Sequence, residues 1–254
     1  MMKRKRILFL MFLCFGACFA AWGQQASSLT APGLNIQIGT PGEDAEGLGQ
    51  AIRIVLLLTV LSLAPSFVIL TTSFTRILVV FGFLRRALGT QSAPPTQVLA
   101  GLSLFLTIFI MLPVWKQIDK EAIKPYQAKE LSAEKAWEAG FKPLRKFMAS
   151  QTGETEFALF VELGGTQVQE MEQAEMSLLV PAFILSELKT AFKLGFLIYL
   201  PFLLIDLVTA TVLMSLGMMM LPPMMVSLPI KILFFVLADG WTVLIRGILA
   251  SFMG

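Results

Sequence analysis

The sequence contains no histidine. The commonest general base and the commonest zinc ligand are therefore both missing, which leaves acid–base and zinc chemistry little to build on. Only two cysteines occur, Cys14 and Cys18, both in the first apolar run, so no disulfide framework staples the rest of the chain. Charge is scarce too: 15% of the 254 residues are charged against 56% hydrophobic, and the mean hydropathy is +0.76. That balance excludes an ordinary water-soluble domain. The net charge of +3 is small and scattered, with no basic stripe interleaved with aromatics, which argues against nucleic acid as a partner. There is no nucleophile elbow, no phosphate-cradling glycine loop and no metal-ligand cluster, so neither a cofactor nor a reaction is expected.

What the sequence does have is long uncharged runs. The N-terminus reads Lys3-Arg4-Lys5-Arg6, then an apolar stretch from Ile7 to about Phe19, then small residues near Ala20 to Gly23. This is the pattern of a secretory signal peptide over 1–23, cleaved after Ala20 or Gly23. An uncleaved anchor is the alternative. Phe15 to Cys18 faintly resembles a lipoprotein acceptor site, but Phe stands where Leu is expected. Residues 24–50 hold Gly, Ser, Gln and Pro without a helical period and read as a flexible mature N-terminus.

Two apolar blocks come next, separated by a polar one. In 51–115, Ile54 to Thr75 is uncharged between Arg53 and Arg76 and is long enough to span about 30 Å of hydrocarbon. Pro65 within it is either tolerated or marks a kink lining a cavity. Ile77 to Leu84 ends at Arg85-Arg86, a turn runs from Gly89 to Pro95, and Val98 to Trp115 is again uncharged. The arginine pair assigns this turn to the cytoplasm, with Arg85 and Arg86 as cytoplasmic-side anchors. The mature N-terminus then lies outside, as a signal peptide requires.

Residues 116–176 change character, with Lys, Glu and Asp throughout. Trp137, Phe141, Leu144 and Met148 fall on one face of a helix opened by Ser132, and a short helix over about Thr155 to Leu163 ends at Gly164-Gly165. The spacing predicts a small soluble helical domain on the periplasmic side. In 177–254, Leu194 to Gly217 and Leu228 to Phe252 read as further spanning segments, with Pro201 a second kink candidate. The fold class is accordingly all-α: a polytopic membrane protein of kinked helical hairpins with a small extracytoplasmic helical domain.

Four charges fall inside the last two apolar segments: Asp206, Lys231, Asp239 and Arg246. Each costs roughly 2.5–3.5 kcal/mol on insertion scales and is a functional candidate by default. Spacings of eight and seven put Lys231, Asp239 and Arg246 near one helical face. They form either a polar seam that pairs with Asp206 or a neighbouring subunit, or ion pairs within one subunit, with Lys231 snorkelling as a further option. An intramembrane aspartyl enzyme would need Asp206 and Asp239 to converge, and neither sits in a protease motif. Met218, Met219 and Met220 precede Pro222-Pro223, two residues that break a continuous helix. Three flexible apolar side chains there either seal a pore around a passing chain or form an ordinary Met-rich turn.

Several stretches together resemble the FliP family of flagellar type III protein-export gate subunits. They are Pro181 to Lys193 (PAFILSELKTAFK), Leu200 to Val208 (LPFLLIDLV), Leu216 to Pro223 (LGMMMLPP), Leu228 to Lys231 and Ala238 to Trp241. Upstream, Ser73 to Arg76 and Arg85 to Pro95 (RRALGTQSAPP) fit the same pattern. The resemblance covers about 51–115 and 177–254 in the right order. It implies a subunit of a homo-oligomeric ring, expected to be pentameric. The ring works with FliQ and FliR, and with FlhA and FlhB, in the flagellar basal body at the inner membrane. Unfolded flagellar proteins pass through it, and Met218, Met219 and Met220 narrow the pore. The injectisome relatives share these motifs; the signal peptide and the 89–95 turn favour the flagellar branch. An ion or small-molecule transporter with Asp206 and Asp239 in its path is the reading from a different class.

Overall fold

The computed structural model describes residues 45–254, apart from 91, 166–169, 219 and 254. The expected signal peptide, and most of the segment expected to be flexible, lie outside the described residues. The chain divides at Val55 and Leu56, and residues 56–254 form one compact unit. Every regular element among the described residues is helical.

Helix α1 runs from Ala45 to Leu70, so it starts inside the stretch 24–50 where composition suggested none. It runs through Pro65, which removes one amide donor without ending the helix. Its span Ile52–Leu70 carries Arg53 as its one charge and buries none of its residues within the chain. The helix ends at three hydroxyl residues, Thr71 to Ser73, where Thr71 Oγ1 donates to the Phe67 carbonyl at 2.9 Å and Thr72 Oγ1 to Ile69 at 3.3 Å. The Phe67 carbonyl also accepts the Thr71 amide at 3.0 Å, so the hydroxyls add to the bonding of the last turn.

Helix α2, Phe74–Ala87, is the centre of the larger core. Ile77, Val80, Phe81 and Leu84 recur at i, i+3, i+4 and i+7, and all are buried. They pack against α6, and at Gly195 a Cβ would overlap the Phe83 ring and sit 2.9 Å from the Phe83 Cβ. The missing side chain lets the Phe83 ring seat closely against α6, which adds dispersion energy to the contact. Helix α3, Thr96–Ile118, lays Leu99, Ser103, Thr107, Met111 and Val114 inward. Its two buried hydroxyls are satisfied within the helix, Ser103 on the Leu99 carbonyl and Thr107 on the Ser103 carbonyl, each at 2.7 Å.

Within 116–176 the chain folds as α4, Ala133–Gln151, and α5, Glu154–Gly164. Ser132 caps α4, its side chain accepting from the Lys135 amide at 3.4 Å, and Gly165 closes α5 in the left-handed region at φ 60°. Of the predicted face, Leu144 and Met148 pack into the second core while Trp137 is 69% exposed. That core continues into α6 through Leu179, Ala182 and Phe183, so α4 and α5 share their interior with the membrane-type helix.

Helix α6, Met176–Ser215, is 40 residues long and continuous through Pro181 and Pro201. It joins the charged 181–193 stretch and the 194–217 span that the sequence separates. The last apolar segment, expected as one helix, is two: α7, Pro223–Leu237, and α8, Gly240–Met253, bent by 68°. The break has a local cause. Asp239 takes φ 49°, and a Cβ on Gly240 would overlap the Phe235 ring. Among the described residues three helices are long and apolar enough to cross a membrane, or four if the bent pair counts as one.

Candidate functional site

The segment from Leu194 to Ser251 gathers the methionine triplet and the four intramembrane charges. Helix α6 ends in a Schellman motif: the Met218 amide donates to the Leu213 carbonyl at 3.0 Å and the Gly217 amide to Met214 at 3.0 Å, with Gly217 at φ 74°. The chain then turns over Met218 to Pro222. Pro222 is the N-cap residue of α7 and Pro223 its first residue. The two prolines thus launch the next helix, since a proline at that position loses no helical hydrogen bond. Met218 is 49% and Met220 98% exposed at the tip of the α6–α7 hairpin. Met219 lies outside the described residues.

Below the tip, Lys231 and Asp206 come together. Lys231 Nζ donates to Asp206 Oδ2 at 2.5 Å and to the Ala87 carbonyl at 3.0 Å. Lys231 is only 2% exposed, so it points into the protein and does not snorkel. Its second contact places an ammonium at the C-terminal end of α2, where the helix dipole favours a cation. The pairing of Asp206 with Lys231 is the intrasubunit one of the alternatives read from the sequence.

The bend separates the other two charges from them. The eight- and seven-residue spacings imply a shared face only on a continuous helix, and the 68° break between α7 and α8 removes that premise. Among the described residues, Asp239 and Arg246 are exposed and have no side-chain partner. Asp239 therefore does not converge on Asp206. On the turn between α2 and α3, Arg85 Nη1 donates to Thr96 Oγ1 at 2.7 Å, while Arg86 is exposed.

A second buried cation is one that sequence reasoning passed over. Arg76 Nε donates to Glu187 Oε2 at 2.9 Å, and Nη2 donates to Glu187 Oε1 and, at 3.0 Å, to Gln151 Oε1. Nη1 donates to the Ser251 carbonyl at 2.8 Å and to Ser251 Oγ at 3.0 Å, and the guanidinium lies 3.7 Å from the Phe252 ring centroid. One planar fork with five donors thus ties α2, α4, α6 and the end of α8. The signals were there: one Arg opening an apolar helix, and one Glu in an apolar run.

Where α5 meets α6, Ser186 Oγ accepts from the Gly153 amide at 2.9 Å and Lys189 Nζ donates to Glu156 Oε1 at 2.5 Å. The Lys189 hydrogen bond holds the Glu156 carboxyl below its ordinary value despite partial desolvation. Among the described residues no group of three or more His, Cys, Asp or Glu could hold a metal ion.

Comparison with known proteins agrees with this arrangement of motifs. The FliP family model matches residues 57–248. The chain is similar to the flagellar biosynthetic protein FliP of Bacillus subtilis (strain 168), with 49% identity over 82% of this chain and 95% of that protein. It is 45% identical to the FliP of Pectobacterium carotovorum subsp. carotovorum over 94% of this chain and 92% of that one. It is 40% identical to the FliP of Borreliella burgdorferi over 98% of this chain and the whole of that one.

Proposed function

The chain belongs to the FliP family, and from that premise we propose that it is a core subunit of the flagellar protein-export gate. In this reading it is a structural component of the export apparatus in the cytoplasmic membrane and performs no reaction of its own. Several copies form a ring, a pentamer by resemblance, together with FliQ and FliR. FlhA and FlhB adjoin it, and unfolded flagellar proteins pass through the centre. The domain built on α4 and α5 lies on the periplasmic side.

The observation that carries the gate is the hairpin tip. Met220 is almost wholly exposed on a turn fixed from both sides, by Gly217 before it and Pro223 after it. Unbranched thioether side chains held there by the backbone, in a ring of copies, would close around a chain and yield to it. Exposed apolar side chains on α1, α6 and α7 supply the surface such a ring needs against lipid and against neighbouring subunits. The transporter reading loses its central feature, since Asp206 is spent on Lys231 and Asp239 is elsewhere.

The test is complementation. Cells lacking the chain should be non-motile and secrete no flagellin, and the intact gene should restore both. A variant with Met218, Met219 and Met220 all replaced by Ala should assemble and export but leak small ions. Normal flagellin secretion without the chain would refute the export role, and a tight Met variant would remove the gate from this loop.

A further inference from the structure

The α6–α7 hairpin has a methionine turn at its tip and a buried ion pair across its arms. Asp206 precedes Gly217 by eleven residues and Lys231 comes eight after Pro223. At about 1.5 Å per residue the pair therefore crosses the hairpin some 12–16 Å below the tip. Among the described residues it is the one ion pair joining α6 to α7.

Lys231 also reaches past the hairpin. The carbonyls at the end of α2 are nearly all claimed locally: Leu84 by the Leu88 amide at 3.0 Å, Arg86 by the Gly89 amide at 3.0 Å, and Arg85 by Thr90 Oγ1 at 3.3 Å. Ala87 is left, and the Lys231 ammonium takes it. Gly89, at φ 76°, carries the chain away at this point, and a Cβ on it would stand 3.8 Å from Nζ. Asp206 Oδ1, in turn, is buried with no donor, so the carboxylate is held through Oδ2 and Lys231 alone.

We propose that Lys231 is a positioning residue for the methionine loop, sharing one ammonium between the gate hairpin and the end of α2. The height of the loop is thereby tied to the turn between α2 and α3. This rests on the proposed gate function. It differs from a plain ion pair in a way that can be measured. A pair that only neutralises buried charge can be exchanged for apolar residues without harm. A residue that must hold the Ala87 carbonyl cannot.

The experiment uses the full chain in cells with the rest of the export apparatus present. Assembly is quantified on native gels, and small-ion leak is expressed per assembled complex. D206L/K231M, which leaves no buried charge, should assemble like the parent yet leak about tenfold more, as loss of a charge-assisted hydrogen bond shifts the loop's closed population. K231R, which keeps donors for both acceptors, should stay tight. An assembled D206L/K231M that leaks no more than the parent, beside a Met218→Ala, Met220→Ala control that does leak, overturns the proposal.

If that control is itself tight, the gate reading fails and position is read directly. Spin labels at Met220→Cys and Thr90→Cys are placed in the purified full chain with Cys14→Ser and Cys18→Ser. The distance distribution between them should broaden in D206L/K231M, and an unchanged distribution refutes the coupling. Should D206L/K231M not assemble, the same distance in D206N/K231M, which removes the ammonium while keeping the size of the Asp206 side chain, decides by the same criterion.

Discussion

Arg76 and Glu187 meet as a two-pronged pair with both side chains shut off from solvent, 111 residues apart in the chain. The pair is completed by Gln151 and Ser251, so the Arg76 fork makes hydrogen bonds to three other helices. A buried pair contributes little over an apolar substitute, but breaking it from one side strands a charge. Glu187→Gln should therefore destabilise the chain by about 3–5 kcal/mol. Limited proteolysis in mild detergent should show the end of α8 cleaved first, because Arg76, which holds Ser251 and Phe252, has lost its counter-charge. Arg76→Met with Glu187→Leu should recover most of that loss.

Packing between α2 and α6 depends on Gly195, whose missing side chain admits Phe83. Gly195→Ala should cost about 1–3 kcal/mol through overpacking. Phe83→Leu in the same chain should recover part of it, and a double-mutant cycle on thermal unfolding measures the coupling. Additive effects would mean that the two helices separate freely at this point.

The Glu156–Lys189 pair sets a pH dependence whose sign is fixed. The Glu156 carboxyl is lowered in the folded chain from its ordinary 4.5, chiefly by the Lys189 hydrogen bond. Its stabilising contribution is therefore full above 4.5 and is lost as pH falls through the lower folded value. Because the Lys189 side chain is 64% exposed, screening keeps the effect small. Glu156→Gln should flatten the acid limb of the unfolding midpoint against pH and leave the neutral region almost unchanged.

Gly217 takes a left-handed conformation to close α6. Gly217→Ala should cost roughly 1 kcal/mol there, since an L side chain meets the next carbonyl. The consequence should appear in function more than in stability: more ion leak per assembled complex, with flagellin secretion retained.

The residues that local rules govern were legible. Ser132 reads as a cap, Gly164-Gly165 as a helix end and Pro222-Pro223 as a break in the helix, because each acts within four or five positions. The family motifs, too, are contiguous. Long-range partners were not legible: neither Arg76 nor Glu187 carries any mark of the other, and periodicity says only that each interrupts an apolar run. Lys231, Asp239 and Arg246 show the opposite failure. Their spacing is helical, but one left-handed residue, Asp239, swings α8 away from the axis of α7, and the Asp-Gly turn signal that marks the break was outweighed by the apolar run on either side. Hydropathy likewise showed Ile77 to Leu84 only as an apolar stretch, without revealing that Ile77, Val80, Phe81 and Leu84 form the centre of the larger core.

The 40 residues of α6 make a rod of about 60 Å, roughly twice the thickness of a bilayer's hydrocarbon. One end is seated among α4 and α5, the other carries the methionine turn, and no break interrupts them. A rod of that length works as a lever. A tilt of roughly 5° about one end moves the other by about 5 Å, the size of a methionine side chain.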